Sequence, residues 1–384
     1  MGTGSFRLVT PCWSGDDQLT AALRFSVAAT DGSARTGSVH TARGSFPTPC
    51  FMPVGTRGTV RTLDAGDLAA IGADVVLANT YHLMLRPGAN IVAGLGDLHG
   101  FSGWSGHMLT DSGGYQVFSL GPQVDDDGVS FRSTYDGSRH RLTPEGAVAV
   151  QEALGADIQM ALDICPPLPS PPEVLRAAVD RTAAWAARAR HVHRREGQAI
   201  FGIVQGGTDA ALRAESAART VALGFDGYGI GGLSVGEPRA EMLPALKAAA
   251  VELPADQPRY LMGVGDAVSI VEAVALGVDM FDCVLPTRLG RHGTALTDHG
   301  KVQIRGAVMA RDDRPVDEQC PCRTCQTHSR AYLRHLFMVG EPSGPRLLTW
   351  HNLAWQLRLM ADIRGAVAAG RLGELRVRIA TIWH

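Results

Sequence analysis

The chain has 384 residues, 45% hydrophobic and 19% charged, which is enough apolar material for a sizeable core and too little charge for a disordered polyelectrolyte. Its 36 basic and 38 acidic residues leave a net charge of −2, which excludes a uniformly basic nucleic-acid coat. The balance is uneven, however: residues 286–384 hold 15 basic and 8 acidic residues (net +7), whereas residues 1–285 hold 21 and 30 (net −9), so a phosphate-rich partner would meet the C-terminal quarter first.

Residues 1–20 read as a flexible N-terminal extension. They show neither a basic start followed by a long apolar run nor a small-residue cleavage site, and no stretch of about 20 apolar residues occurs anywhere. The expectation is a soluble, cytoplasmic protein. Further along, a short unit recurs: Ile71-Gly-Ala-Asp74, Leu154-Gly-Ala-Asp157, Leu223-Gly-Phe-Asp226 and Leu276-Gly-Val-Asp279. Each follows an Ala-rich, helix-like stretch and precedes a short apolar run, so the Gly suits the left-handed position that ends a helix before a buried parallel strand. Ala199–Val204 and Tyr260–Val264 add strand candidates, and alternation runs from about residue 50 to 285. That pattern suits an eight-fold β/α barrel or a doubly wound open sheet; no G-x-G-x-x-G follows the first strand, which weakens a dinucleotide-binding version.

Polar residues end these strands: Asn79-Thr-Tyr-His82, Asp163, Gln205-Gly-Gly207, Gly231-Gly232 and Asp282. In a barrel such ends converge on one rim, where chemistry is done. Asp111-Ser112-Gly113-Gly114-Tyr115 sets a carboxylate, a hydroxyl and a flat ring around two glycines that let backbone approach a ligand. Asp163, Gln205, Gly232 and Leu233 would supply acceptors and donors to the edge of a guanine-like heterocycle, the carboxylate taking its paired N–H groups. Tyr260 and Met262 could sandwich the ring with Tyr115. Asp111 and Asp282 together permit double displacement at a sugar carbon, one attacking C1′ and the other managing the proton of the departing base.

Seven cysteines are an odd number for a disulfide scaffold, and three of them cluster as Cys320-x-Cys322-x-x-Cys325, with His351 26 positions further on. Three thiolates and one imidazole make a closed tetrahedral zinc site with no position left for water, hence a structural Zn2+. Cys12, Cys50, Cys165 and Cys283 read as unpaired thiols.

In His40-Thr-Ala-Arg-Gly44, Phe51-Met-Pro-Val-Gly-Thr-Arg-Gly58, Asn79-Thr-Tyr-His-Leu-Met-Leu-Arg-Pro-Gly88, Asp111–Gln116, Gly202–Gly207, Gly231–Glu237, Tyr260–Gly265, Phe281–Arg288 and the cysteine cluster with His351, the chain resembles bacterial tRNA-guanine transglycosylases over nearly its whole length. The resemblance implies a (β/α)8 TIM barrel over residues 21–384, with a zinc-binding subdomain at about 308–355. It implies exchange of guanine at the wobble position of tRNAs with G-U-N anticodons (Asp, Asn, His, Tyr) for 7-aminomethyl-7-deazaguanine. Asp282 would be the nucleophile and Asp111 the general acid/base. Ser112, Gly113, Gly114, Tyr115, Asp163, Gln205, Gly232, Leu233, Tyr260 and Met262 would bind the base. Gly263, Val264, Gly265, Asp266, Ala267, Val268 and Ser269, with Thr287, Arg288, Leu289, Gly290 and Arg291, would bind RNA. A homodimer is also implied. Two departures bear on substrate: Ile164 stands where an acid is usual beside Asp163, and Asp266 where a Lys is common. Val235 looks bacterial and favours the smaller base over queuine. Direct queuine exchange, or base exchange at another nucleic-acid site, are the competing readings.

Overall fold

The computed structural model describes residues 22–383; the extension expected over 1–20 lies outside them, as does Cys12. Eight parallel strands close into a barrel. In chain order they are Cys50–Met52 with Val54–Gly55, then Val75–Ala78, His107–Thr110, Ile158–Met160, Ala199–Val204, Gly227–Ile230, Arg259–Leu261 and Met280–Asp282. Closure depends on the first strand, which is interrupted at Pro53. Its first half pairs with the last strand (Met280↔Cys50, Asp282↔Met52) and its second half with the next (Val54↔Leu77). A proline cannot donate to the ladder, so the interruption falls where the strand changes partner.

The four helix stops are as the repeat predicts: Gly72, Gly155, Gly224 and Gly277 all have positive φ, between 69 and 90°. The Asp that follows has a second use in three of them. Asp157 accepts from Met108 N (2.7 Å), Asp226 from Ile200 N (2.9 Å) and Asp279 from Arg259 N (2.7 Å), so each carboxylate ties down the start of the preceding strand. Arg35 adds a buried, two-pronged bond to Asp279 at 2.8 and 2.6 Å.

The barrel interior is packed with Met52, Leu77, Leu109, Met160, Phe201, Ile203, Tyr260 and Met280. The N-terminal antiparallel sheet, Leu23–Asp31, Ala34–Thr41 and Gly44–Thr48, adds Leu23, Phe25, Val39 and Phe46 to the same cluster and plugs the lower end. Two insertions decorate the opposite rim. After the third strand comes a small antiparallel sheet, Gln123–Val124, Val129–Arg132 and Arg139–Leu142. After the eighth come the helix Leu285–Arg291, the hairpin Thr294–Thr297/Gly300–Gln303, and short helices leading to the 26-residue helix Ser343–Ala368. Among the described residues, no helix is long and apolar enough to cross a membrane.

Candidate active site and metal centre

Carboxylates from three strand ends meet at the rim around a cavity of about 370 Å³, whose lining includes Asn79, His82, Asp111, Ser112, Tyr115, Asp163, Gly232, Tyr260, Met262 and Asp282. Asp111 follows the third strand. Its Oδ1 accepts from Thr80 N (2.8 Å) and Gly113 N (3.1 Å), and its Oδ2 from the Asn79 amide. These bonds favour the ionised form, but burial outweighs them and pushes the acid up to about 6, with the charge of Asp282 adding to the rise.

Asp282 ends the eighth strand. The Tyr260 hydroxyl (2.6 Å) and Gly263 N (2.7 Å) both donate to its Oδ1, and no described residue donates to Oδ2. Burial raises its pKa while these two donors oppose the rise. One oxygen is therefore held and the other is available to an electrophile. Tyr260 is fully buried with its hydroxyl committed to Asp282, so it forms the cavity floor and positions the carboxylate. The faces left for a planar ligand are those of Tyr115, 62% exposed at the mouth, and the half-buried Met262.

Asp163 follows the fourth strand, with Ser112 Oγ donating to Oδ1 (3.1 Å) and Gln205 Nε2 to Oδ2 (2.6 Å); burial pushes it up to about 6 as well. Gln205 stands behind Asp163 and does not line the cavity, and its Oε1 is buried without a partner. Gly232 explains the close wall beside it: φ is +64°, and an added Cβ would fall 2.2 Å from Gln205 Oε1. Gly114 is likewise behind the lining, and a Cβ there would sit 3.0 Å from the Asp163 carbonyl.

The sequence offered no reason to single out Arg213, which supports this wall. It is fully buried on the helix Ala210–Val221 and donates to Gly207 O (2.7 Å), Gly231 O (2.6 Å), Gly232 O (2.9 Å) and Val204 O (3.1 Å). With those carbonyls engaged, the loops after the fifth and sixth strands are fastened to one guanidinium. Burial lowers its pKa to about 10, so it remains a cation. Glu237 then fixes the next turn by accepting from Ser234 N and Val235 N. Asn79, Thr80 and Gly263 were also missed as partners of the acids, because two of the three act through backbone N–H groups that any residue carries.

The expected RNA-contact segments divide by exposure. Gly263 is exposed at the cavity lip, but Val264, Gly265, Ala267, Val268 and Ser269 are buried. Asp266 caps the helix Ala267–Ala275 by accepting from Ser269 N (2.9 Å) and pairs with Arg239 (2.9 Å). In the helix Leu285–Arg291, Arg288 is exposed, Arg291 and Leu289 are half-buried, and Thr287 and Gly290 are buried. Burial and the neighbouring Arg61 and Arg288 lower the pKa of Arg291, so three guanidiniums gather on this rim.

That helix is braced from behind by the helix Ser343–Ala368, which contributes one member of a candidate metal site. Cys320, Cys322, Cys325 and His351 place their ligand atoms within 4.8 Å of one another, with His351 Nδ1 3.8, 3.5 and 3.2 Å from the three sulfurs in that order. His351 Nε2 lies 2.8 Å from Leu296 O, a bond that requires the proton on Nε2 and leaves Nδ1 free for a metal. Three thiols and one such imidazole fit a closed tetrahedral metal ion. The adjacent Asn352 donates to Pro286 O and Thr294 O (both 2.9 Å), and Gly290 packs on Thr349, where a Cβ would come within 2.8 Å of backbone. The helix that contributes His351 thus anchors, through Asn352 and Thr349, the helix that carries Arg288 and Arg291.

A sequence profile of the queuine tRNA-ribosyltransferase family matches residues 30–384. The queuine tRNA-ribosyltransferase of Moorella thermoacetica is 52% identical over 92% of this chain and 96% of its own length. That of Gluconacetobacter diazotrophicus is 51% identical over 95% of both chains, and that of Thermus thermophilus 52% over 91% of this chain and 92% of its own. The chain belongs to the queuine tRNA-ribosyltransferase family and is a glycosyltransferase.

Proposed function

We propose that this enzyme exchanges guanine at the wobble position of tRNAs with G-U-N anticodons for 7-aminomethyl-7-deazaguanine, by double displacement through a covalent enzyme–tRNA intermediate. The observation that carries the reading is the asymmetric setting of two acids in one cavity: Asp282 with one oxygen pinned and one free, and Asp111 poised at about 6. The free oxygen of Asp282 attacks C1′ as the C1′–N bond to guanine breaks, and the departing base takes its proton from Asp111. The incoming base returns a proton to Asp111 and displaces Asp282. Asp163, held by Ser112 and Gln205, accepts the base's paired N–H groups, while the Gly232–Leu233 backbone faces its other edge. Tyr115 and Met262 flank the plane, and Arg288 and Arg291 hold the anticodon loop from which the nucleotide is splayed.

The barrel over residues 21–384, the subdomain at about 308–355 with a structural Zn2+ on Cys320, Cys322, Cys325 and His351, a homodimeric assembly and a cytoplasmic location belong to the same reading. Zinc would stiffen the brace behind Arg288 and Arg291, leaving glycosyl transfer to Asp282 and proton transfer to Asp111. The smaller base is favoured because Val235 lines the cavity beside Leu233 and Ser234.

The test is incorporation of labelled guanine into unmodified tRNA with a G-U-N anticodon, followed by competition among guanine, 7-aminomethyl-7-deazaguanine and queuine. Asp282→Ala should lower exchange by at least ~10³-fold with tRNA binding retained. Full exchange by that variant would remove Asp282 from the mechanism, and preferential use of queuine would overturn the assigned substrate.

A further inference from the structure

On the side of the cavity formed by the first and second strands, an aromatic residue collects two cations that pair with no carboxylate among the described residues. Tyr135 lies in the turn between Val129–Arg132 and Arg139–Leu142. The guanidinium carbons of Arg57 and Arg86 lie 5.5 and 4.8 Å from its ring centroid. Both arginines are exposed, and neither makes an ion pair among the described residues. Several other exposed or half-buried arginines around the barrel do: Arg141 with Asp125, Arg181 with Asp126, Arg188 with Glu145 and Arg219 with Asp180. Two like charges drawn to one ring with no counter-ion leave a place for an anion.

The platform is joined to the active site. The Tyr135 hydroxyl is 2.9 Å from Nδ1 of His82, which lines the cavity, and Arg57 follows Thr56, which lines it too. Burial and then Arg57 lower the pKa of His82, so the imidazole is neutral near pH 7 and the platform's charge resides in the two guanidiniums. The turn is held in place by Thr134, whose N–H and hydroxyl both lie 3.1 Å from the Tyr81 hydroxyl. Tyr81 sits on the helix Thr80–Leu85, whose first N–H donates to Asp111.

We infer that Arg57 and Arg86, stacked on Tyr135, bind backbone phosphates of the RNA strand next to the extruded nucleotide, separately from the Arg288/Arg291 cluster. This rests on the proposed function, because only a strand crossing the cavity mouth brings phosphates here. A flipped nucleotide leaves its two flanking phosphates at the lip, and a planar guanidinium fixed on an aromatic ring is pre-organised for bidentate phosphate binding. Tyr135 sets the two cations and reads no base.

The experiment measures steady-state exchange and tRNA affinity for Arg57→Ala, Arg57→Lys and the double variant Arg57→Ala/Arg86→Ala, across a salt series. For the double variant we expect KM for tRNA to rise about tenfold at ~0.1 M salt, with kcat and KM for the free base within about twofold of wild type. The slope of log affinity against log salt should shrink by about 0.7 for each phosphate that is no longer neutralised, and Arg57→Lys should recover part of the affinity. Should Arg86→Ala disturb folding, Arg57→Ala alone still serves, with about half the effect on a logarithmic scale. Unchanged tRNA affinity and salt slope in the double variant, with wild type fully active, would overturn the phosphate role while leaving the proposed function standing. Absence of exchange by wild type on any tRNA would instead strike the proposed function itself.

Discussion

The two ends of the barrel use the same residue, aspartate, in opposite ways. At the lower end Asp279 is gripped by Arg35 and Arg259 N, and Asp157 by Arg43 and Met108 N. At the upper rim Asp111, Asp163 and Asp282 have only neutral donors: amides, a serine, a tyrosine and backbone N–H groups. Burial pushes every rim carboxylate up, to about 6 for Asp111 and Asp163. At the lower end the charged partners hold Asp157 below the ordinary value despite burial, while burial still raises Asp279, so what sets the two ends apart is the presence of arginine partners. The lower aspartates are bonded to keep the barrel closed, whereas Asp111 and Asp163, at about 6, are left near neutrality, a setting suited to the acid–base chemistry proposed above.

Four substitutions separate these uses. The largest effect belongs to Asp111→Asn: exchange should fall by ~10³-fold while tRNA binding and fold persist, since Asn79 can turn its amide to suit the new side chain. A second, opposite in kind, is Asp279→Ala at the lower end. Removing one partner of a buried pair strands Arg35, so stability should drop by ~3–5 kcal/mol in denaturant titration, while turnover per folded molecule stays near wild type. If Asp279→Ala left stability untouched, the division of labour between the ends would fail.

Next comes the metal centre. Cys322→Ser should lose bound zinc by elemental analysis, soften the subdomain, and raise KM for tRNA more than it lowers kcat, because Asn352 and Thr349 brace the helix bearing Arg288 and Arg291. A metal-free variant with unchanged stability would contradict the structural assignment. The smallest effect has the opposite sign of most mutations. Asp163 has its folded pKa raised from 3.8 to about 6, so its neutral form is favoured by folding. Its stabilising contribution is complete below about pH 4 and is lost as pH rises through 6. Asp163→Asn should therefore be more stable than wild type by ~1–3 kcal/mol at pH 8, a gain that vanishes at pH 4 and comes with weakened base binding.

Much of this was legible in the sequence, and the parts that were not share a cause. The repeat of Gly and Asp located the helix stops, because a left-handed turn leaves few alternatives to glycine. It did not reveal that Asp157, Asp226 and Asp279 tie neighbouring strands, since that depends on barrel register. The acids Asp111, Asp163 and Asp282 stood out as polar groups ending apolar runs. The sequence marks Tyr260 as an aromatic ring for a ligand, and its hydroxyl bond to Asp282 appears only in the folded barrel. The sequence marks Gln205 as a base-binding candidate but carries no sign that its amide also bonds Asp163. The N-terminal sheet that plugs the barrel, and the small sheet carrying Tyr135, have no comparable sequence mark: their strands are rich in Ser, Thr, Ala and Arg and show little apolar alternation, and their burial comes from tertiary packing.

The most direct test of the central claim is mass spectrometry of wild-type enzyme mixed with unmodified G-U-N tRNA, without added base, and quenched under denaturing conditions. Attack by Asp282 predicts a covalent adduct in which the peptide containing Asp282 carries the RNA through the C1′ of the wobble nucleotide, in step with release of one guanine per adduct and absent from Asp282→Ala. An adduct on Asp111, or guanine exchange proceeding with no adduct at any time point, would contradict it.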